Sequence, residues 1–236
     1  MKVIEFIDKI FLPVLVGSIC LIALTFVSYM YAPEQDHWQF HHYLLWIVDL
    51  RKEHNLATWF EGCLFLLCGL SFSVIGWSDR TPQFLTDRYI WIARIAVCAA
   101  CFFSADEILS IHEGLGIRLE NRTALFQTTP IAESGFSWLL LYIPPVGIGL
   151  VAVYRLYTAM LKNVPKHRTL HRRTRVLAYL GVGIVPVIFL LEGLEGYILM
   201  SGQFVTIVPC FEEAIEVLAL LLFTRINTNF ASTLDL

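Results

Sequence analysis

Residues 88–117 read RYIWIARIAVCAACFFSADEILSIHEGLGI, an apolar run that ends in Asp106, Glu107, His112 and Glu113. The first part has the length and greasiness of a membrane span. The second part sets four ionisable groups at its end. Charged groups at membrane depth are costly and tend to be functional, so this stretch defines both the solvent and the place to look for chemistry. The remaining composition agrees: 57% of the 236 residues are hydrophobic, 16% are charged, and the mean hydropathy is +0.65. An all-α polytopic membrane bundle follows, a single integral domain over residues 1–236, since about six spans of some 20 residues fill this length.

The spans are expected at 11–31, 56–77, 88–115, 136–154, 176–200 and 204–223, with an interfacial segment at 32–55. That segment carries Trp38, Phe40, Tyr43 and Trp46 together with His37, His41, His42, Asp49, Glu53 and His54. The fourth span should kink at Pro144 and Pro145. Lys and Arg crowd one side of this arrangement, including the 162–175 loop KNVPKHRTLHRRTR, and the positive-inside rule then puts both termini in the cytoplasm of a bacterial inner membrane. The basic loop reads as a topological anchor, with contact to anionic lipid headgroups as the sharper alternative. The net charge of -3, without a basic tract interleaved with aromatics, excludes a nucleic-acid partner. The six cysteines, the C-x-x-C at Cys98 and Cys101 included, lie in or beside apolar runs and read as small packing residues.

Depth follows from direction. The third span leaves the cytoplasm near Arg88, so Asp106 stands roughly 27 Å higher at about 1.5 Å per residue. Glu192 and Glu195 on the fifth span reach a similar height, while Glu61 on the second and Glu212, Glu213 and Glu216 on the sixth lie one to three turns below the outer boundary. The first and fourth spans carry no acid, which suits lipid-facing positions. With about 100° per residue in one continuous helix, Asp106, Ser110 and Glu113 share a face and His112 points away. Glu61, Asp106, Glu107, Glu113, Glu192, Glu195, Glu212, Glu213 and Glu216 would each cost up to about 3 kcal/mol if ionised at a helix centre, more in sum than a fold's stability. Arg94 sits near the opposite surface, so protons or metal ions must compensate.

In ligand pattern alone, four helices offering inward carboxylates resemble the ferritin-like di-iron and di-manganese proteins. That resemblance implies one or two divalent ions, with Fe or Mn favoured, held by Asp106, Glu113, Glu192, Glu195, Glu212, Glu213 and Glu216. No span contains the Glu-x-x-His of that class. The run Asn55-Leu56-Ala57-Thr58-Trp59-Phe60, with Asp106-Glu107 and His112-Glu113, also resembles a group of bacterial polytopic membrane proteins, which adds no activity.

Three function classes compete. The first is a membrane-embedded metalloenzyme acting on a lipid or apolar small molecule by oxidation or hydrolysis, with Glu61 or His112 as acid-base partner and Ser110 as orienter. The second is a cation or proton transporter built on the same acids, and the third an accessory subunit whose acids are protonated. The residues do not specify an oligomeric state.

Overall fold

A computed structural model describes residues 2–31, 46–51, 54–77, 85–122, 136–163, 169–200 and 207–233. These residues form seven α-helices and no strand: α1 (Lys2–Tyr31), α2 (Leu56–Gly76), α3 (Asp87–Leu109), α4 (Ile111–Arg122), α5 (Leu139–Asn163), α6 (Thr169–Met200) and α7 (Val208–Thr233). A 3-10 turn, Phe136–Trp138, leads into α5. His37, His41, His42 and most of the expected interfacial segment lie outside the described residues, as does the side chain of Glu113.

Five helices are long and apolar enough to cross a membrane: α1, α2, α5, α6 and α7. The expected third span is not among them. The helix there, Asp87–Leu109, is 23 residues long and carries Arg88, Arg94, Asp106 and Glu107, and it ends at Leu109 instead of continuing to 115. α1 and α6 begin earlier than the apolar runs implied, at Lys2 and Thr169, and α5 runs as a helix through Pro144 and Pro145.

Burial separates the spans into two kinds. In α2 and α7, 56% and 61% of the apolar window is buried inside the bundle, against 11% for α1, α5 and α6. α2 and α7 are therefore the inner helices, and the others present Leu, Ile, Val and Phe side chains outward, as a lipid solvent allows. Lipid tails are as apolar as leucine, so close packing and interhelical hydrogen bonds must hold the bundle. α2 supplies the closest packing. Its Gly62, Gly69 and Gly76 recur every seven residues and face α3, where an added Cβ would stand 2.8 Å from the Ile108 side chain, 3.0 Å from Ala100 Cβ and 3.1 Å from Arg94 Cγ respectively. Small residues at heptad spacing let the two backbones approach.

At the end of the bundle away from the acids, the seam is closed by Arg94. Its Nε donates to the carbonyl of Gly76 at 2.9 Å, and its guanidinium lies 5.3 Å from the rings of Trp77 and Trp91. This satisfies one of the carbonyls that a helix C-terminus leaves without an intrahelical donor. Nearby, α2, α5 and α7 are joined by a buried polar clamp. Tyr157 Oη donates to Asn227 Oδ1 (3.0 Å), Asn227 Nδ2 donates to Ser71 Oγ (2.9 Å), and Ser71 Oγ donates to the Cys68 carbonyl (2.6 Å). Phe72 stacks on Tyr157 at 6.3 Å, and Phe223 and Phe230 complete an aromatic packing around the same hydroxyl.

Candidate functional site

The opening stretch is two helices, not one. Ser110 ends α3 in the left-handed region, φ 48° and ψ 46°, with its N–H donating to the Asp106 carbonyl. Its own carbonyl then accepts from Gly114 N at 3.2 Å and starts α4. A left-handed non-glycine residue costs about 1–2 kcal/mol, so the break is maintained by its surroundings. One contact is visible at the side chain: Ser110 Oγ lies 3.5 Å from His54 Nε2.

This break overturns the rotation expected from a continuous helix. Asp106, Ser110 and Glu113 do not share one helical face, and His112 is brought back to Asp106. The His112 backbone N–H donates to Asp106 Oδ1 at 2.8 Å, while His112 Nδ1 stands 3.4 Å from Oδ2. One carboxylate therefore caps the first turn of α4 and orients the ring of the residue it caps. An anion here also complements the helix dipole. A proton on Nδ1, toward Asp106, leaves Nε2 as the basic nitrogen. The ring is held from the other side by Trp138, 4.7 Å away, which in turn meets Tyr142 edge-on at 5.3 Å. The Tyr142 hydroxyl is buried and faces Asp106.

The inner helices bring the other acids to this wall. Glu61 is 1% exposed on α2 and Glu212 5% exposed on α7. Glu212 lies beside Glu192 of α6 and Glu216 one turn along its own helix. It also feels the charges of Glu61 and Glu195. Glu61 and Glu107 lie within electrostatic reach of Glu213, and His112 within reach of Glu192 and Glu216. The sequence-derived residues Glu61, Asp106, His112, Glu192, Glu195, Glu212, Glu213 and Glu216 thus lie within electrostatic reach of one another. Among the described residues, however, no group of three or more His, Cys, Asp or Glu stands arranged to hold a metal ion.

Several residues of this region take roles that the sequence did not assign to them. Asn55 caps α2 by accepting from Thr58 N (3.0 Å), and its Nδ2 donates to the carbonyls of Trp46 and Asp49, both at 2.7 Å. It thereby fastens residues 46–51 over the start of α2. Asp49, expected as a loose interfacial ligand, is 1% exposed and fully engaged. It accepts from Ser28 Oγ of α1 (2.8 Å) and pairs with both Nε (2.9 Å) and Nη2 (2.6 Å) of Arg51. Burial alone would lower the pKa of Arg51, but Asp49 outweighs it and holds the guanidinium above its usual value. Arg51 also acts on Glu195, so a permanent cation borders the acids. Arg94 is not the sole basic group that matters to charge compensation. An Asn before an apolar run is a helix-start signal that could have revealed Asn55, whereas nothing local marks Arg51 or Tyr142.

No curated protein and no solved structure matches the chain. Over residues 14–227, which include every acid of the site, the chain matches the family described as Domain of unknown function (DUF8692), and it belongs to that family.

Proposed function

We propose that this chain is a membrane-embedded, metal-dependent enzyme. Its acid-rich site opens toward the outer face of a bacterial inner membrane, and its substrate is a lipid or another apolar small molecule, transformed by oxidation or hydrolysis. The observation that carries this reading is Glu212, buried beside Glu192 and Glu216 within reach of His112. Two carboxyl groups can hydrogen-bond to each other only by sharing a proton. A divalent cation exchanges for such protons, because its ligands must be deprotonated. Binding requires the neighbouring acids to turn onto the ion. Carboxylates with one imidazole suit Fe or Mn, and one or two ions can be accommodated by the acids present. Asp106 on His112 Nδ1 has the form of the outer carboxylate that orients a ligating histidine. Tyr142, a buried hydroxyl facing Asp106, is placed to act as a further donor to a water or a substrate oxygen.

In this reading α3 is the sixth crossing. It packs along the full glycine seam of α2, and Arg88 and Asp106 are roughly 27 Å apart along it, close to the thickness of a hydrocarbon core. The excess of Lys and Arg at the Arg88 end supports a cytoplasmic position for that end and for both termini. A transporter is disfavoured by the buried polar groups described in the other half of the bundle. There the polar groups form the Tyr157, Asn227 and Ser71 clamp, and an amide passes no proton onward without an unfavourable tautomer.

Elemental analysis of protein purified without chelators tests the reading. One or two transition-metal ions per chain are expected, and Glu212→Gln should lose them while remaining folded. A metal-free wild type would overturn the proposal, and ion flux in liposomes would replace it with the transporter.

A further inference from the structure

The far end of the bundle holds a second feature, unrelated to the acids. A cavity of about 430 Å³ is lined by Arg88 and Tyr89 of α3 and by Tyr154, Arg155, Thr158 and Lys162 of α5. All three cations are exposed, and none has an ion-pair partner among the described residues. Like charges brought together without counter-charge repel, so the arrangement is stabilised by an anion. Asp87 begins the same helix as Arg88 but does not line the cavity. Thr86, at the N-cap of α3, makes no side-chain capping bond; its carbonyl accepts from Tyr89 N at 2.9 Å, and the positive end of the helix dipole lies beside the cations. Thr158 Oγ1 is already committed to the Tyr154 carbonyl at 2.8 Å, so charge dominates what the cavity offers.

Its position selects the kind of anion. Arg88 lies 18 residues before Asp106 on α3, roughly 27 Å along the axis, so the cavity opens at headgroup level when the acids lie near the other surface. Tyr89 and Tyr154 occupy the depth where tyrosines concentrate, and Tyr154 packs against Tyr179 of α6 at 6.2 Å. The apolar exterior of α5, with Ile148 and Val151 exposed above the cavity, offers a track for an acyl chain. The volume is in the range of small-ligand sites, larger than a bare phosphate requires.

We propose that this cavity binds the phosphate-bearing headgroup of an anionic phospholipid, with Arg88, Arg155 and Lys162 as the phosphate contacts. The proposal does not depend on the chemistry at the acidic end. It gives Lys162, the first residue of the basic 162–175 stretch, a place in a defined site.

The test uses the full chain in detergent, titrated with short-chain phosphatidylglycerol, short-chain phosphatidylcholine or inorganic phosphate, with binding read by native mass spectrometry and thermal stabilisation. Wild type should retain phosphatidylglycerol and neither of the others. The double variant Arg155→Gln/Lys162→Gln should weaken binding roughly 30-fold, since each interfacial cation is worth about fivefold. Arg172→Gln/Arg173→Gln, exposed on α6 and outside the cavity lining, removes the same charge and should bind as wild type. Arg155→Lys keeps the charge and should retain most of the affinity, which guards against a folding defect. Equal weakening in both double variants would reduce the effect to diffuse charge and overturn the proposal. Equal protection by inorganic phosphate would make free phosphate the ligand and overturn the lipid assignment.

Discussion

Replacing Asp106 by alanine removes the acceptor of the His112 backbone N–H at 2.8 Å and the partner of its ring nitrogen at 3.4 Å. The loss of a side-chain cap costs about 1 kcal/mol, and loss of an anion at the first turn of α4 adds about 0.3–1 kcal/mol. A further fraction comes from leaving the Tyr142 hydroxyl beside an alanine, so a total near 2 kcal/mol is expected. For a chain of this size that lowers Tm by roughly 4–8 °C. Asp106→Asn keeps an oxygen in the capping position and loses only the charge, so it should fall by no more than about half as much. Thermal unfolding in detergent micelles, followed by circular dichroism, separates the two. If Asn falls as far as Ala, the charge rather than the capping oxygen holds α4, and the account of the Ser110 break is wrong. If neither falls, the contact contributes nothing to the fold. The same pair decides how metal content should be read. Loss of metal in Asp106→Ala alone is confounded by unfolding of α4, whereas Asp106→Asn reports on the site.

Asn55→Ala should lower stability by about 3 kcal/mol, from one lost cap and two buried carbonyls left without donors; Asn55→Ser, which can restore only the cap, should recover about 1 kcal/mol of that in the same unfolding assay. Serine matching wild type would show that the Nδ2 bonds to Trp46 and Asp49 are inert. Gly69→Leu places a side chain where Cβ alone would be 3.0 Å from Ala100 Cβ, and should destabilise by about 2 kcal/mol or separate α2 from α3. Gly147→Leu on α5 meets nothing within 4 Å and serves as the control. Equal behaviour of the two leucine variants would remove the glycine seam from the list of forces holding the bundle.

The helical membrane character was legible because it depends on composition and run length, which survive without any knowledge of contacts. The acids of the site were legible for a related reason: a Glu in an apolar run is conspicuous wherever the helix goes. Helix ends were read less well. Lys2 to Lys9 and Thr169 to Arg175 are too polar to count as span, yet nothing stops the helix, and it continues into the interface. The seven-residue spacing of Gly62, Gly69 and Gly76 was present in the sequence and is a packing signal, but its partner helix is not encoded locally.

The stretch at 88–117 divides the two kinds of information. Its sequence alone determined that an apolar helix ends in a dense group of ionisable side chains, because hydropathy is a local property. Only the tertiary structure decided where those side chains point. Propensity and 100° periodicity favour an unbroken helix through Ser110, and a single residue in the left-handed region, supported by Asp106 on one side and His54 nearby, redirects everything after it. His112, directed away by the periodicity, becomes the partner of Asp106 and the neighbour of Glu192 and Glu216. Asp49 and Arg51 likewise join the site through contacts with α1 and α6 that no local pattern contains.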